Sequence, residues 1–141
     1  MKYLKFIALA VVLSVFLPAD AAKKPETTKA YLFGFAANFT DSVVYFTDIQ
    51  EIDSVTILKK SKFLKDRDSY SDQLRYYFSD KLKMAHRTCI VSYALTRKKA
   101  EKKYVKMRKL YTEKNAGRYD VRYITENDFK FQAILPVVIT E

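Results

Sequence analysis

The chain has 141 residues, a formal net charge of +10, 10 phenylalanines, 11 tyrosines and no tryptophan, with one cysteine, two glycines and three prolines. So little glycine and proline excludes a low-complexity or collagen-like polymer, a single thiol excludes an internal disulfide framework, and the length provides for one domain. The basic balance favours anionic partners such as acidic glycans, phosphorylated polymers or lipid headgroups.

Met1-Lys2-Tyr3-Leu4-Lys5 is a short basic lead, Phe6 to Leu17 is an apolar run broken by Ser14, and Pro18-Ala19-Asp20-Ala21-Ala22 closes it with small residues. Those three regions in that order predict a secretory signal peptide over residues 1–21, cleaved after Ala21 or Ala22. The run is shorter than the roughly 20 residues a helix needs to span a hydrocarbon core of about 30 Å. No transmembrane span is therefore expected after cleavage, and the location expected is periplasmic or secreted. Export also argues against nucleic acid as the partner in vivo.

Residues 22–29 read as a flexible lead-in carrying Pro25, and residues 30–141 as a single α+β domain. Ala30 to Phe39 is an apolar, aromatic run that suits a strand covered on both faces, with Gly34 marking a bulge or a close backbone approach. Thr40-Asp41-Ser42 supplies a turn, and Val43 to Ile52 completes a hairpin. Asp53-Ser54 is expected to turn into Val55 to Leu58, a short third strand or a continuation of the one before. After a charged connector, Ser69 is the expected N-cap of a helix, with Asp72 three residues on and Tyr70, Leu74, Tyr77, Phe78 and Leu82 on its inner side, ending near Met84. Arg87 to Leu95 reads as an interior strand.

Thr96 then caps a long amphipathic helix running to Lys114. Ala100, Tyr104, Met107 and Tyr111 recur at helical spacing and share one stripe, with Leu110 beside them. Around the rest of the circumference stand Arg97, Lys98, Lys99, Lys102, Lys103, Lys106, Arg108, Lys109 and Lys114, against Glu101 and Glu113. Asn115-Ala116-Gly117 stops the helix, Gly117 being able to take the left-handed conformation. Tyr119 to Ile124 and Phe129 to Ile134 alternate as strands, the second with Phe129, Phe131 and Ala133 on one side, and Val137-Val138-Ile139 trails as an edge segment. The order β-β-(β)-α-β-α-β-β predicts a two-layer sandwich, a mixed or antiparallel sheet with both helices on one face.

Arg87 to Ile124, with a helix opening on Thr96-Arg97-Lys98-Lys99-Ala100-Glu101 and a following Tyr119-Asp120-Val121-Arg122-Tyr123-Ile124 strand, resembles the second half of a sporulation-related repeat (SPOR) domain. That resemblance implies a small envelope module that binds glycan strands of peptidoglycan. The first half departs from the family, having a hairpin where the family has strand then helix, so no binding surface carries over residue by residue. The whole chain also resembles small exported proteins of unknown function from Bacteroides-type bacteria, which implies no activity.

Chemistry is sparsely signalled. His86 and Cys89, an odd number of residues apart, are expected on opposite faces of a strand and not as a nucleophile pair. One His and one Cys cannot furnish a zinc site. Asp41, Asp48, Glu51 and Asp53 match no EF-hand spacing, and the pairs Glu51/Asp53 and Glu126/Asp128 sit near turns, where solvated acids are the rule. No catalytic, cofactor-binding or metal-binding residue is assigned, and no cofactor is expected. The reading is a non-enzymatic domain in which Arg97, Lys98, Lys102, Lys106, Arg108 and Lys109 bind an anionic envelope polymer or a partner protein. The alternative is a structural protein that self-associates by pairing the acidic hairpin with the basic helix, and a small hydrolase is the remaining reading.

Overall fold

The computed structural model describes residues 26–134. The leader expected over residues 1–21 and the edge segment expected at Val137-Val138-Ile139 lie outside the described residues. Strands β1 (Glu26–Ala37), β2 (Val43–Thr47) and β3 (Gln50–Ile57) are followed by helix α1 (Arg67–Tyr76), which runs on into a π-helical turn at Tyr77–Lys81. Strand β4 (Thr88–Ala94), helix α2 (Arg97–Thr112) and strand β5 (Asp120–Ile124) complete the order. The mixed α+β composition and the order of elements as far as β5 match the expectation.

β1 is the centre of the sheet. On one side it pairs antiparallel with β4, from Tyr31↔Ala94 to Ala37↔Thr88. On the other it meets β2 through Phe35↔Phe46 and β3 through Leu32↔Gln50, so β2 and β3 are successive lengths of one ribbon interrupted at Asp48 and Ile49. β5 adds parallel to β2, from Val43↔Asp120 to Thr47↔Ile124. The strand expected in the interior at Arg87 to Leu95 is therefore an edge strand. Its outward carbonyls are partly covered: Arg67 Nε donates to the Val91 carbonyl and Lys103 Nζ to that of Tyr93, each at 2.8 Å. Charged side chains of this kind blunt an edge against further pairing.

Strand alternation sends residues 32, 34 and 36 of β1 to one face and residues 33, 35 and 37 to the other. α1 covers the first face, where Tyr70, Leu74 and Phe78 pack with Leu32, Tyr45, Val91, Phe129 and Phe131. α2 covers the second, where Tyr104, Met107 and Tyr111 pack on Phe35, Val44 and Phe46. The helices thus lie on opposite faces, giving three layers where two were expected. The cause is legible in β1 itself, which is apolar on both faces and needs cover twice.

Further details differ from the sequence reading or decide between its alternatives. β1 begins at Glu26, inside the expected lead-in, because β3 continues opposite it as far as Glu26↔Ile57. Of the two readings of Val55 to Leu58 the continuation holds: a register shift between Thr28 and Ala30 absorbs the irregularity, Asp53-Ser54 makes no turn, and β3 runs on to Ile57. α1 starts at Arg67 on a left-handed Asp66, φ 59°, whose carbonyl accepts from Ser69 and Tyr70, so Ser69 is not the cap. Phe129 to Ile134 is not a strand: Phe129 and Phe131 are buried as alternation requires, but Ala133, expected on the same side, is exposed.

Candidate functional site: the basic face of helix 2

α2 forms where the sequence places it. Thr96 is extended, φ −126°, and its Oγ1 accepts from the Lys99 N–H at 3.3 Å, satisfying one of the free donors of the first turn. Ala100 is buried with no exposure, so the helix backbone approaches the sheet closely. Tyr104 sets its ring edge-on to Phe33 at 5.2 Å and to Phe46 at 5.7 Å, while Tyr111 lies against Phe35 at 5.0 Å and Tyr119 at 4.9 Å. Aromatic pairs at these separations add about 0.5–1.5 kcal/mol each beyond their burial. Burial pushes the Tyr104 and Tyr111 phenols above their ordinary range, so both stay neutral. Leu110, beside the stripe in sequence, remains exposed.

This inward ribbon fixes the direction of every cation on the helix. Lys98, Lys102, Lys106 and Lys109 come together along the outward side, where with Glu101 and Val105 they line one shallow furrow. Among the described residues, none of these four lysines takes part in an ion pair. The two arginines are placed differently. Arg97 lies over the Tyr31 ring at 5.2 Å and Arg108 over the Tyr104 ring at 5.6 Å, so both guanidinium groups are held at the flanks by aromatic faces. Lys103 is likewise committed, bonded to the Tyr93 carbonyl and 5.4 Å from that ring.

The hairpin acids do not reach the stripe. Asp41 accepts from Arg87 at 2.8 Å, Asp48 accepts from the Glu126 N–H at 3.0 Å, and Glu51 pairs with Lys29 at 2.6 Å. The hydrogen bond from Lys29 holds the Glu51 carboxyl below the usual carboxylate range, with a smaller contribution from Arg97. Asp41, Asp48 and Glu51 are thus spread over three separate partners. Of the turn acids, Glu126 faces Lys130 at 4.0 Å and Asp128 accepts from Thr125 Oγ1 at 3.1 Å.

Cys89 is on the α1 face, and burial pushes its thiol up to about 11. His86 is exposed in a loop with φ 70°, and among the described residues no hydrogen bond joins the two. Sequence reasoning missed Arg87, whose guanidinium is buried under the hairpin, bonded to the Val43 carbonyl at 2.8 Å and to Asp41, and stacked 5.0 Å from the Tyr45 ring. It also missed a crevice at the far end of α2. Neither had a local signal, because each is assembled from residues distant in the chain.

A five-stranded mixed sheet with one helix on each face, bearing on the outer side of the second helix a lysine stripe in no ion pair among the described residues, defines an α+β domain with an electrostatic surface. Comparison with known protein families, curated proteins and solved structures finds no match to this chain.

Proposed function

We propose that this protein is an exported, non-enzymatic binding domain whose α2 stripe engages an extended anionic polymer of the cell envelope, peptidoglycan or an acidic glycan. The observation that carries the reading is the set of four lysines, Lys98, Lys102, Lys106 and Lys109, aligned, outward and without an acid partner among the described residues. Their arrangement works against the fold. Lys98, Lys102 and Lys106 repeat at i, i+4, where like charges cost about 0.2–0.5 kcal/mol per pair. Arg97, Lys98 and Lys99 also place positive charge in the first turn, where the helix dipole favours negative charge and no acid is present. Local choices that oppose stability mark surfaces retained for another use.

A helix exterior is convex, so the stripe cannot enclose a small molecule and is suited to a partner that lies along it. The likeness of residues 87–124 to SPOR domains makes peptidoglycan the first polymer to try. Self-association through the acidic hairpin is less favoured, because Asp41 and Glu51 are already engaged within the chain. Export and envelope location rest on the leader read from residues 1–21, and cell fractionation tests them. Binding is tested by co-sedimentation with insoluble peptidoglycan at rising ionic strength. The expected result is retention at low salt and release toward 1 M, where the screening length falls to about 3 Å. No retention at low salt, or retention indifferent to salt, rejects the reading.

A further inference from the structure

Phe39, at the β1–β2 turn, is 95% exposed. It stands at the mouth of a crevice of about 310 Å³ on the sheet face that carries α2, lined by Phe35, Val44, Ile90, Tyr111 and Tyr119 among others. α2 bonds to β4 through Lys103 and the Tyr93 carbonyl and reaches Tyr119, just before β5, through Tyr111, so the corner where Ala37 of β1 meets Thr88 of β4 stays open and Ile90 there is 43% exposed. An apolar tip beside an open apolar crevice is a surface that a soluble domain seldom leaves without a use.

The surroundings are cationic. Arg75 and Arg87 line the recess on the other side of Phe39, together with Asp72. Lys114 and Arg118, which follow Tyr111 and precede Tyr119 in the chain, are exposed and in no ion pair among the described residues. The nearby Asp41, Asp72 and Asp120 are each bonded to an arginine, and Glu113 is the neighbouring acid outside those ion pairs.

We propose that this end of the domain is a contact surface for an anionic lipid bilayer. Phe39 enters the headgroup boundary, the crevice receives a length of acyl chain, and Lys114 and Arg118 face lipid phosphate. Tyr111 and Tyr119 at the crevice suit an interface, where one end of the ring is apolar and the other wet. A bilayer is favoured over a protein because a stable protein interface covers about 800 Å² per partner. One phenylalanine, one isoleucine and a small crevice supply far less apolar surface than that. A membrane contact needs a few inserted apolar groups and positive charge around them. The surface is separate from the Lys98 to Lys109 stripe, so either can fail alone.

The chain's lack of tryptophan makes F39W a site-specific reporter. With phosphatidylglycerol vesicles at low salt, its emission should shift to the blue and be quenched by brominated acyl chains, and neutral phosphatidylcholine vesicles should produce neither effect. Ile90→Lys, which keeps the positive field but fills the crevice with a charge, should lower vesicle partitioning roughly tenfold, the loss expected from withdrawing a partly buried apolar side chain. Attachment through any other part of the chain leaves the F39W signal unmoved. The proposal is overturned if the protein sediments with anionic vesicles while F39W emission stays unchanged, if no association occurs at low salt, or if neutral vesicles shift it equally. Peptidoglycan retention unaffected by F39W and Ile90→Lys distinguishes this surface from the α2 stripe.

Discussion

Gln50 holds Phe131 by its backbone. The Gln50 side-chain amide closes on the chain around Lys130, donating from Nε2 to the Phe129 carbonyl at 2.8 Å and accepting at Oε1 from the Phe131 N–H at 2.8 Å. The side chain is wholly buried, so one amide does the work of a neighbouring strand. Gln73 repeats the grip on Gln132 at the surface, at 2.9 and 2.8 Å. Replacing Gln50 by Leu removes the partner of a buried carbonyl and a buried N–H together and is expected to cost about 2–5 kcal/mol. Gln73→Leu, whose orphaned groups can turn to water, should cost less than about 1 kcal/mol. Urea denaturation of the two variants checks the contrast, and equal losses would contradict it.

The same pair shows what the sequence could and could not convey. Alternation correctly gave Phe129 and Phe131 an inner face, because burial acts on side chains one at a time, and it failed at Ala133, which is exposed where no strand continues the pattern. It could not say whether the backbone partner was a strand or a glutamine 79 residues earlier in the chain. α2 was legible for a related reason: its inward ribbon and Thr96 cap are local, and the outward direction of Lys98 to Lys109 follows from them. The face on which α1 packs was not legible, since that depends on how β1 divides its apolar residues between two layers. The crevice at Phe39 depends on where α2 stops relative to β4, which no local pattern encodes.

Gly34 shows the tightness of the α1 layer. Its N–H donates to Thr47 Oγ1 at 2.8 Å, and a Cβ added there would lie 2.6 Å from Leu74 Cδ2 and 3.3 Å from Thr47 Cγ2. Leu74 is fully buried and has little room to withdraw. Gly34→Ala is therefore expected to destabilise the fold by about 1–3 kcal/mol through overpacking. Adding Leu74→Ala should recover part of that loss by opening space, a non-additive result that a double-mutant cycle detects. Simple addition of the two losses would show that the contact does not matter.

Cys89 gives a pH dependence with a defined sign. Burial raises its thiol from an ordinary value of 9.0 to about 11. Folding thus favours the neutral thiol, so this contribution to stability is complete below pH about 9 and declines as pH rises toward about 11. At a pH about one unit below 9, the shift leaves the folded protein with about a hundredfold less thiolate than the unfolded chain, and alkylation should slow accordingly. Iodoacetamide labelling with and without urea measures the ratio. Labelling of the native protein at the unfolded rate would place the thiol in solvent.

Lys98 separates the requirements of folding from those of binding. It sits in the first turn of α2 with Arg97 and Lys99, without an acid to balance the helix dipole, and four residues before Lys102. Lys98→Glu reverses an unfavourable charge at the helix start; its new pair with Lys102 is offset by repulsion from Glu101 three residues on, so the helix-start term remains and the domain should gain about 0.5 kcal/mol. The same change removes one attractor from the stripe and adds a repulsion, so affinity for an anionic polymer at low salt should fall at least about fivefold, the equivalent of one contact charge in water. Lys103→Gln supplies the control, since it also removes a cation from α2, but one tied to Tyr93 and away from the furrow. It should change polymer affinity less than Lys98→Gln does, because only long-range charge is lost. A Lys98→Glu protein that is more stable and binds as well as the original would detach the stripe from function, leaving its lysines as a solubilising face.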